Sequence, residues 1–290
     1  MGTFDPLYLW AGLAGLASIV CFVAARQIRP GDRAWQVRLD GLCVVALLVA
    51  ASLSVAAAFK SGTTNENKGF VEAQPNRPIG ELSTSIPDSV RSSALRATVR
   101  IINPITGGEG SGVIVKRDGD YVYILTAKHI LEQTNEATIE TFEGRTTPVA
   151  RDTGVPVMER INNLDLAVLK MNCKKEPDVI DICPENKIDA AEKKGFTVAT
   201  VGCTDGLWPE VRIEDVEDVV DLRRDDNSSA GLHWRTRQEA KKGRSGGPMI
   251  DVNGYLIGIC SGAMKDKGYY LHISEISREL KQVGLNNLLE

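Results

Sequence analysis

No long run of lysine or arginine occurs in these 290 residues, and the formal net charge is −4. A nucleic-acid partner therefore has no electrostatic footprint to follow. The mild acidic excess bears on solubility and says nothing about substrates. The six cysteines, at positions 21, 43, 173, 183, 203 and 260, include no CxxC pair and no Cys/His pair at zinc spacing. Neither a metal nor another cofactor is expected. No internal repeat of useful length is present.

Charge is also missing from Leu7–Ala25 and from Gly41–Phe59. At about 1.5 Å per residue, each run makes a helix close to the thickness of a bilayer's hydrocarbon core. Two such runs ahead of a polar domain read as a transmembrane helical hairpin over residues 1–60. The N-terminus has no basic segment and a second span follows, which fits poorly with a cleavable signal peptide. Neither span carries Asp, Glu, Lys or Arg, so a transport pathway is not expected. The connecting loop holds Arg26, Arg29, Arg33 and Arg38 against Asp32 and Asp40, whereas Asp5 alone precedes the first span. Short basic loops stay cytoplasmic, so both termini should face out. The expectation is a multi-pass integral membrane protein, partnered by the lipid bilayer, with everything after Phe59 extracytoplasmic, on the periplasmic or cell-surface side.

Residues 61–85 are rich in Gly, Asn, Pro and Ser and read as a flexible linker. From residue 86 to 290 the pattern changes to short runs rich in Val, Ile and Tyr: ATVRII, SGVIVK, YVYILTA, LAVLKM, FTVATVG, PMIDV, YLIGIC and YYLHI. Asp118-Gly119 and Asn253-Gly254 mark turns between such runs. A helical stripe emerges only at the end, where Ile276, Leu280 and Val283 follow a cap candidate at Ser274. This is an all-β pattern with one C-terminal helix. Cys203 and Cys260 sit in apolar runs and should be buried. Cys173 and Cys183 flank a polar segment that either closes as a short disulfide loop or leaves two free thiols.

Three segments carry chemistry. YILTAKHIL ends a β-run at His129, NLDLAVLK opens one after Asp165, and GRSGGPMI sets Ser245 between glycines. A serine hydroxyl is a weak nucleophile until a base removes its proton, and imidazole titrates near neutrality. His129 is the candidate base, and Asp165 the candidate carboxylate that fixes its tautomer. His233 and His272 have no such setting and read as structural.

These segments, together with GSGVIV at 110–115 and GYLIGI at 254–259, resemble the trypsin-like serine peptidases, and among them the bacterial HtrA-type branch. The resemblance covers roughly residues 90–282, and no PDZ-like domain is expected after them. It implies a double six-stranded β-barrel, a His129–Asp165–Ser245 triad, and an oxyanion hole built from the amides of Gly243 and Ser245. It implies a serine endopeptidase acting on a protein or peptide through an acyl-enzyme. Homo-oligomerisation, common among HtrA-type members, stays open.

Two positions depart from the family pattern. Lys128 stands where small residues often precede the histidine. Arg244 replaces the acidic residue that digestive trypsins carry before the nucleophile, which argues against activation by a freed N-terminus. Glu239 falls at the position of the primary specificity pocket's floor; it is either a cation-selecting carboxylate or a surface group neutralised by Lys241 and Lys242. Ser261, Gly262 and Ala263 match the stretch that lines that pocket and pairs with substrate backbone. A competing reading is an inactive trypsin-like domain that serves as a membrane-tethered binding module. For the topology, an alkaline phosphatase reporter fused after Lys60 should be active and one fused within Gly31–Arg38 silent; the reverse pattern overturns the outward placement.

Overall fold

The structure, a computed structural model, describes residues 71–78, 85–184, 186–187, 196–223 and 230–290. In chain order the elements are β1 (Val71–Pro78), α1 (Asp88–Ala97), β2 (Thr98–Ile102), β3 (Glu109–Asp118), β4 (Tyr121–Thr126), β5 (Glu136–Thr141), β6 (Ala150–Ile161) and β7 (Leu166–Asn172). There follow β8 (Thr197–Gly202), β9 (Glu210–Arg223), β10 (Gly231–Thr236), β11 (Pro248–Ile250), β12 (Leu256–Met264), β13 (Lys267–His272) and α2 (Ile273–Gln282). A single 3-10 turn, Lys128–Leu131, follows β4.

Successive side chains of a strand point to opposite faces, so a run that is apolar throughout must be covered on both. In β4, Val122 and Ile124 fill one core while Tyr123 and Leu125 fill another. In β7, Ala167, Leu169 and Met171 join the first core, and Leu166 and Val168 the second. The first core is the interior of a closed barrel in the order β2-β3-β4-β7-β6-β5. The second core is shared with the other strands, ordered β1-β9-β10-β13-β12-β11-β8, of which the last six close through a β8–β9 pairing. The all-β double six-stranded barrel with a C-terminal helix, expected from the sequence, is the architecture found.

The details correct several expectations. Asp88–Ala97 is a helix that the strand pattern had hidden, because it buries only Ala94 and Ala97. It ends where Thr98 Oγ1 donates to the Ala94 carbonyl at 2.8 Å. Part of the expected linker is strand β1, antiparallel to β9 from Val71↔Arg223 to Pro78↔Asp218. The reason lies in β9: β8 covers only Glu210–Asp215, so an extended chain can complete the rest of that edge. Helix α2 is capped by His272, whose Nδ1 accepts the Ser274 N–H at 3.1 Å, so the cap is two residues earlier than the Ser274 candidate. Ile276 and Leu280 are buried as expected, but Val283 lies at the C-cap and is exposed. The four described cysteines, Cys173, Cys183, Cys203 and Cys260, are free thiols. The apolar spans Leu7–Ala25 and Gly41–Phe59 lie outside the described residues; among those described, no helix is long and apolar enough to cross a membrane.

The joint between β13 and α2 carries a pH dependence. The His272 ring lies 4.2 Å from the buried Trp234 indole. Burial, reinforced by nearby His233, pushes its imidazole down to about 4. The unfolded chain binds this proton near the ordinary histidine value of about 6.5, so stability falls as pH drops from there toward about 4. The full effect is on the order of 3 kcal/mol. His272→Asn keeps a cap acceptor and removes the titration. Its thermal midpoint should change less between pH 7 and pH 4 than that of the parent chain; an equal acid slope in both removes His272 as the cause.

Candidate active site

Antiparallel pairing decides where the first two candidates meet. Thr126, the last residue of β4, lies opposite Ala167 near the start of β7. The 3-10 turn beyond β4 and the residue just before β7 are therefore neighbours at one end of the first barrel. His129 sits on that turn and Asp165 on that entry. The His129 Nδ1 lies 2.8 Å from Asp165 Oδ2 and 3.0 Å from Oδ1. The His129 backbone N–H also donates to Oδ1 at 3.0 Å. From the second barrel, Ser261 Oγ donates to Oδ2 at 2.7 Å.

The Asp165 side chain is only 2% exposed, and a buried carboxylate needs such donors. A carboxylate accepts, so this network assigns the proton to Nδ1 and leaves the Nε2 lone pair free to act as a base. Lys128 resolves its departure from the family pattern. Its Nζ donates to the carbonyls of Ile161 and Asn162 at 3.3 and 3.2 Å, tying the histidine turn to the turn that delivers Asp165.

Ser245 stands on the turn between β10 and β11. The Ser111 N–H of β3 donates to its carbonyl at 2.7 Å, holding the turn against the first barrel. A Cβ at Gly246 would fall 2.9 Å from the Ala127 nitrogen, two residues before His129. The nucleophile's turn and the histidine's turn are thus in direct contact across the seam. The Ser245 hydroxyl makes no hydrogen bond among the described residues; uncomplexed sites often have loose catalytic hydrogen bonds.

The amides of the turn divide into two sets. Those of Arg244, Gly246 and Gly247 donate to the carbonyls of Lys241, Cys260 and Arg244 at 3.1, 2.7 and 2.9 Å. Those of Gly243 and Ser245 have no acceptor among the described residues. The Lys242 carbonyl is held by the Asp205 N–H at 2.8 Å, and in a trans peptide the Gly243 N–H then points the opposite way. Gly243 has φ +82°, and a Cβ there would lie 2.2 Å from the Cys203 carbonyl oxygen. No other residue fits without displacing the turn. Ser111 Oγ adds a brace, donating to the Gly243 carbonyl at 2.7 Å and accepting the Cys203 N–H at 2.8 Å.

Of the residues expected to bind substrate, Ser261 turns its hydroxyl to Asp165. β11 pairs with β12 only as far as Pro248↔Ile259, while Gly262 and Ala263 pair with β13 at Tyr269 and Gly268. Glu239 is 41% exposed at its side chain and paired with Lys241 at 3.2 Å, the neutralised surface arrangement. The role of Ser261's hydroxyl and the bracing by Ser111 had no signal in the sequence, because both cross between barrels.

A two-barrel β-domain with histidine and aspartate on one barrel and a glycine-framed serine on the other defines the class of chymotrypsin-like hydrolase folds. The trypsin-like peptidase domain model matches residues 110–259, more than half of the chain, and the chain belongs to that family. It is similar to the serine protease Do-like HtrB of Bacillus subtilis, 28% identical over 168 residues, 54% of this chain and 33% of that protein. A probable periplasmic serine protease do/HhoA-like from Haemophilus influenzae is 25% identical over 161 residues, 56% of this chain and 32% of that protein. The chain thus spans about a third of these relatives' length. Among solved structures, a serine-to-alanine mutant of Rv3671c from M. tuberculosis in its inactive form overlays with a TM-score of 0.55 at 19% identity, over 74% of this chain and 97% of that one. The HtrA-type protease AlgW with a tripeptide gives 0.54 at 20% identity, over 68% of this chain and 63% of that one. At these identities the overlays speak for the fold.

Replacing Asp165 by Asn offers Nδ1 a donor and favours the wrong tautomer; turnover of any substrate should fall roughly 10⁴-fold in a folded chain. Ser261→Ala removes one hydrogen bond to the same carboxylate and should lower turnover about tenfold. Unchanged turnover in Asp165→Asn removes that residue from the site.

Proposed function

We propose that this chain is a serine endopeptidase, anchored in a membrane by its N-terminal hairpin, with its catalytic domain on the extracytoplasmic side. The observation that carries the catalytic part is the pairing of an Nδ1-protonated His129, held by buried Asp165, with a serine turn whose amides at 243 and 245 are uncommitted. Membership of the trypsin-like peptidase family supports the same reading. The membrane part rests on the two uncharged runs and the arginine-rich loop between them.

In the reaction, Ser245 Oγ attacks the scissile carbonyl while its proton passes to His129 Nε2. The carbonyl oxygen becomes an oxyanion, stabilised by the N–H groups of Gly243 and Ser245. His129 then gives the proton to the departing amine, leaving an ester on Ser245. Water, deprotonated by the same imidazole, hydrolyses that ester. Removing one oxyanion donor in such sites costs about 10²–10³ in rate. The substrate lies as an added strand along 261–263, on the side of β12 away from β13. The exposed Glu239–Lys241 pair gives no reason to expect a preference for a basic side chain at the cut.

A tethered binding module without catalysis is the second reading, favoured by the free Ser245 hydroxyl. A fluorophosphonate probe separates the two. Ser245 Oγ displaces fluoride from phosphorus, so the folded 290-residue chain should be labelled and Ser245→Ala should not. A folded parent chain that stays unlabelled overturns the peptidase reading.

A further inference from the structure

Arg244 lies between the two uncommitted amides, yet its side chain turns away from the cleft into the second barrel. It is 1% exposed, one of the largest fully buried side chains among the described residues. Its Nη2 donates to Thr200 Oγ1 at 2.9 Å, and its Nη1 to the Glu210 carbonyl at 3.3 Å and Thr204 Oγ1 at 3.4 Å. Glu210 Oε1 lies 3.6 Å from Nη1. Thr200 passes the contact on, donating to the buried Glu214 Oε1 at 2.7 Å. The stem lies against β8 so closely that a Cβ at Gly202 would stand 2.9 Å from the Arg244 Cα.

Two carboxylates supply the counter-charge. Burial alone would raise the Glu210 carboxyl, but hydrogen bonds from Thr204 and Arg212 and the charges of Arg212 and Arg244 hold it below its ordinary range. Two further titratable neighbours stay neutral: burial pushes Cys260 up to about 12 and the Tyr270 phenol well above its usual value. An apolar side chain of similar volume would fill this space without the desolvation cost of a guanidinium. The charged fork must therefore supply something that packing does not, and what it supplies is direction.

We infer that Arg244 is a positioning residue: clamped to Thr200, Thr204 and Glu210, it fixes the 243–245 main chain so that the Gly243 and Ser245 amides face the oxyanion. This rests on the peptidase reading above. Rotation of the Lys242–Gly243 peptide would put a carbonyl where the donor is needed. The Asp205–Lys242 hydrogen bond resists that rotation from one side and the buried guanidinium from the other. Arg100 of β2 steadies the neighbouring turn Thr204–Gly206, donating from Nη1 to the Gly206 carbonyl. Lysine carries all its donors on one nitrogen and cannot reproduce contacts that here spread over two guanidinium nitrogens.

The test uses the 290-residue chain and the fluorophosphonate probe, whose phosphonyl oxygen occupies the oxyanion site. Two quantities are read: the labelling rate at saturating probe and the probe concentration giving half that rate. Arg244→Ala should lose about 10²-fold in saturating rate, the scale of one oxyanion donor, with the half-saturating concentration changed less than about threefold. Arg244→Lys and Thr200→Val should lose about tenfold. Millimolar guanidinium should restore part of the rate in Arg244→Ala and none in Thr200→Val. A folded Arg244→Ala that labels at the parent rate, or whose loss lies wholly in the half-saturating concentration, overturns the inference. If Arg244→Ala fails to fold, Arg244→Lys and Thr200→Val decide by the same two quantities. A parent chain that does not label removes the peptidase reading and the inference together; an active parent with unaffected variants removes the inference alone.

Discussion

A carboxylate sealed from water between two β-barrels is the constraint from which the rest follows. Asp165 is 2% exposed at its side chain, and its charge persists there only because donors converge on it from both halves. His129 contributes its ring and its backbone amide, and Ser261 reaches over from β12. Withdraw the second barrel and the charge loses a donor and gains water. Withdraw the first and the histidine and the carboxylate go with it. One coupling between the barrels therefore runs through the same carboxylate that prepares the base.

The turn that carries the nucleophile is held by different means. Its strained backbone is gripped by main-chain hydrogen bonds from Ser111 and Asp205, by the absence of a Cβ at 243, and by a polar filling inside the second barrel. That filling departs from the usual rule of apolar barrel interiors. Glu214 occupies the same inward register of β9 as Val216, where a hydrophobic residue would be the ordinary choice. Its place beside Thr200, beneath Arg244, turns an exception in the pattern into a support for the loop above.

How much could be read from the chain depended on which contacts are local. The continuous apolar runs of β4 and β7 were legible because both of their faces are buried, and the His, Asp and Ser segments because each carries its motif within a few residues. β9 was not: EVRIEDVEDVVDLR alternates acidic and apolar residues, and its charge masks its period. Helix α1 was missed because two alanines make too faint a stripe. The contacts Ser261–Asp165 and Ser111–Gly243 span 96 and 132 residues of sequence, and no local pattern records them. The exposure of Glu239 likewise depended on where its loop came to rest.

The proposed pairing of substrate with β12 at 261–263 sets a physical toll on whatever enters. A chain can pair there only after surrendering its own backbone hydrogen bonds, so a segment locked in a helix or an interior strand must first come undone. The rate at which a given bond is reached then follows the opening equilibrium of its surroundings, with each 1.4 kcal/mol of local protection slowing access about tenfold. Such a cleft reads the looseness of its targets before it reads their side chains.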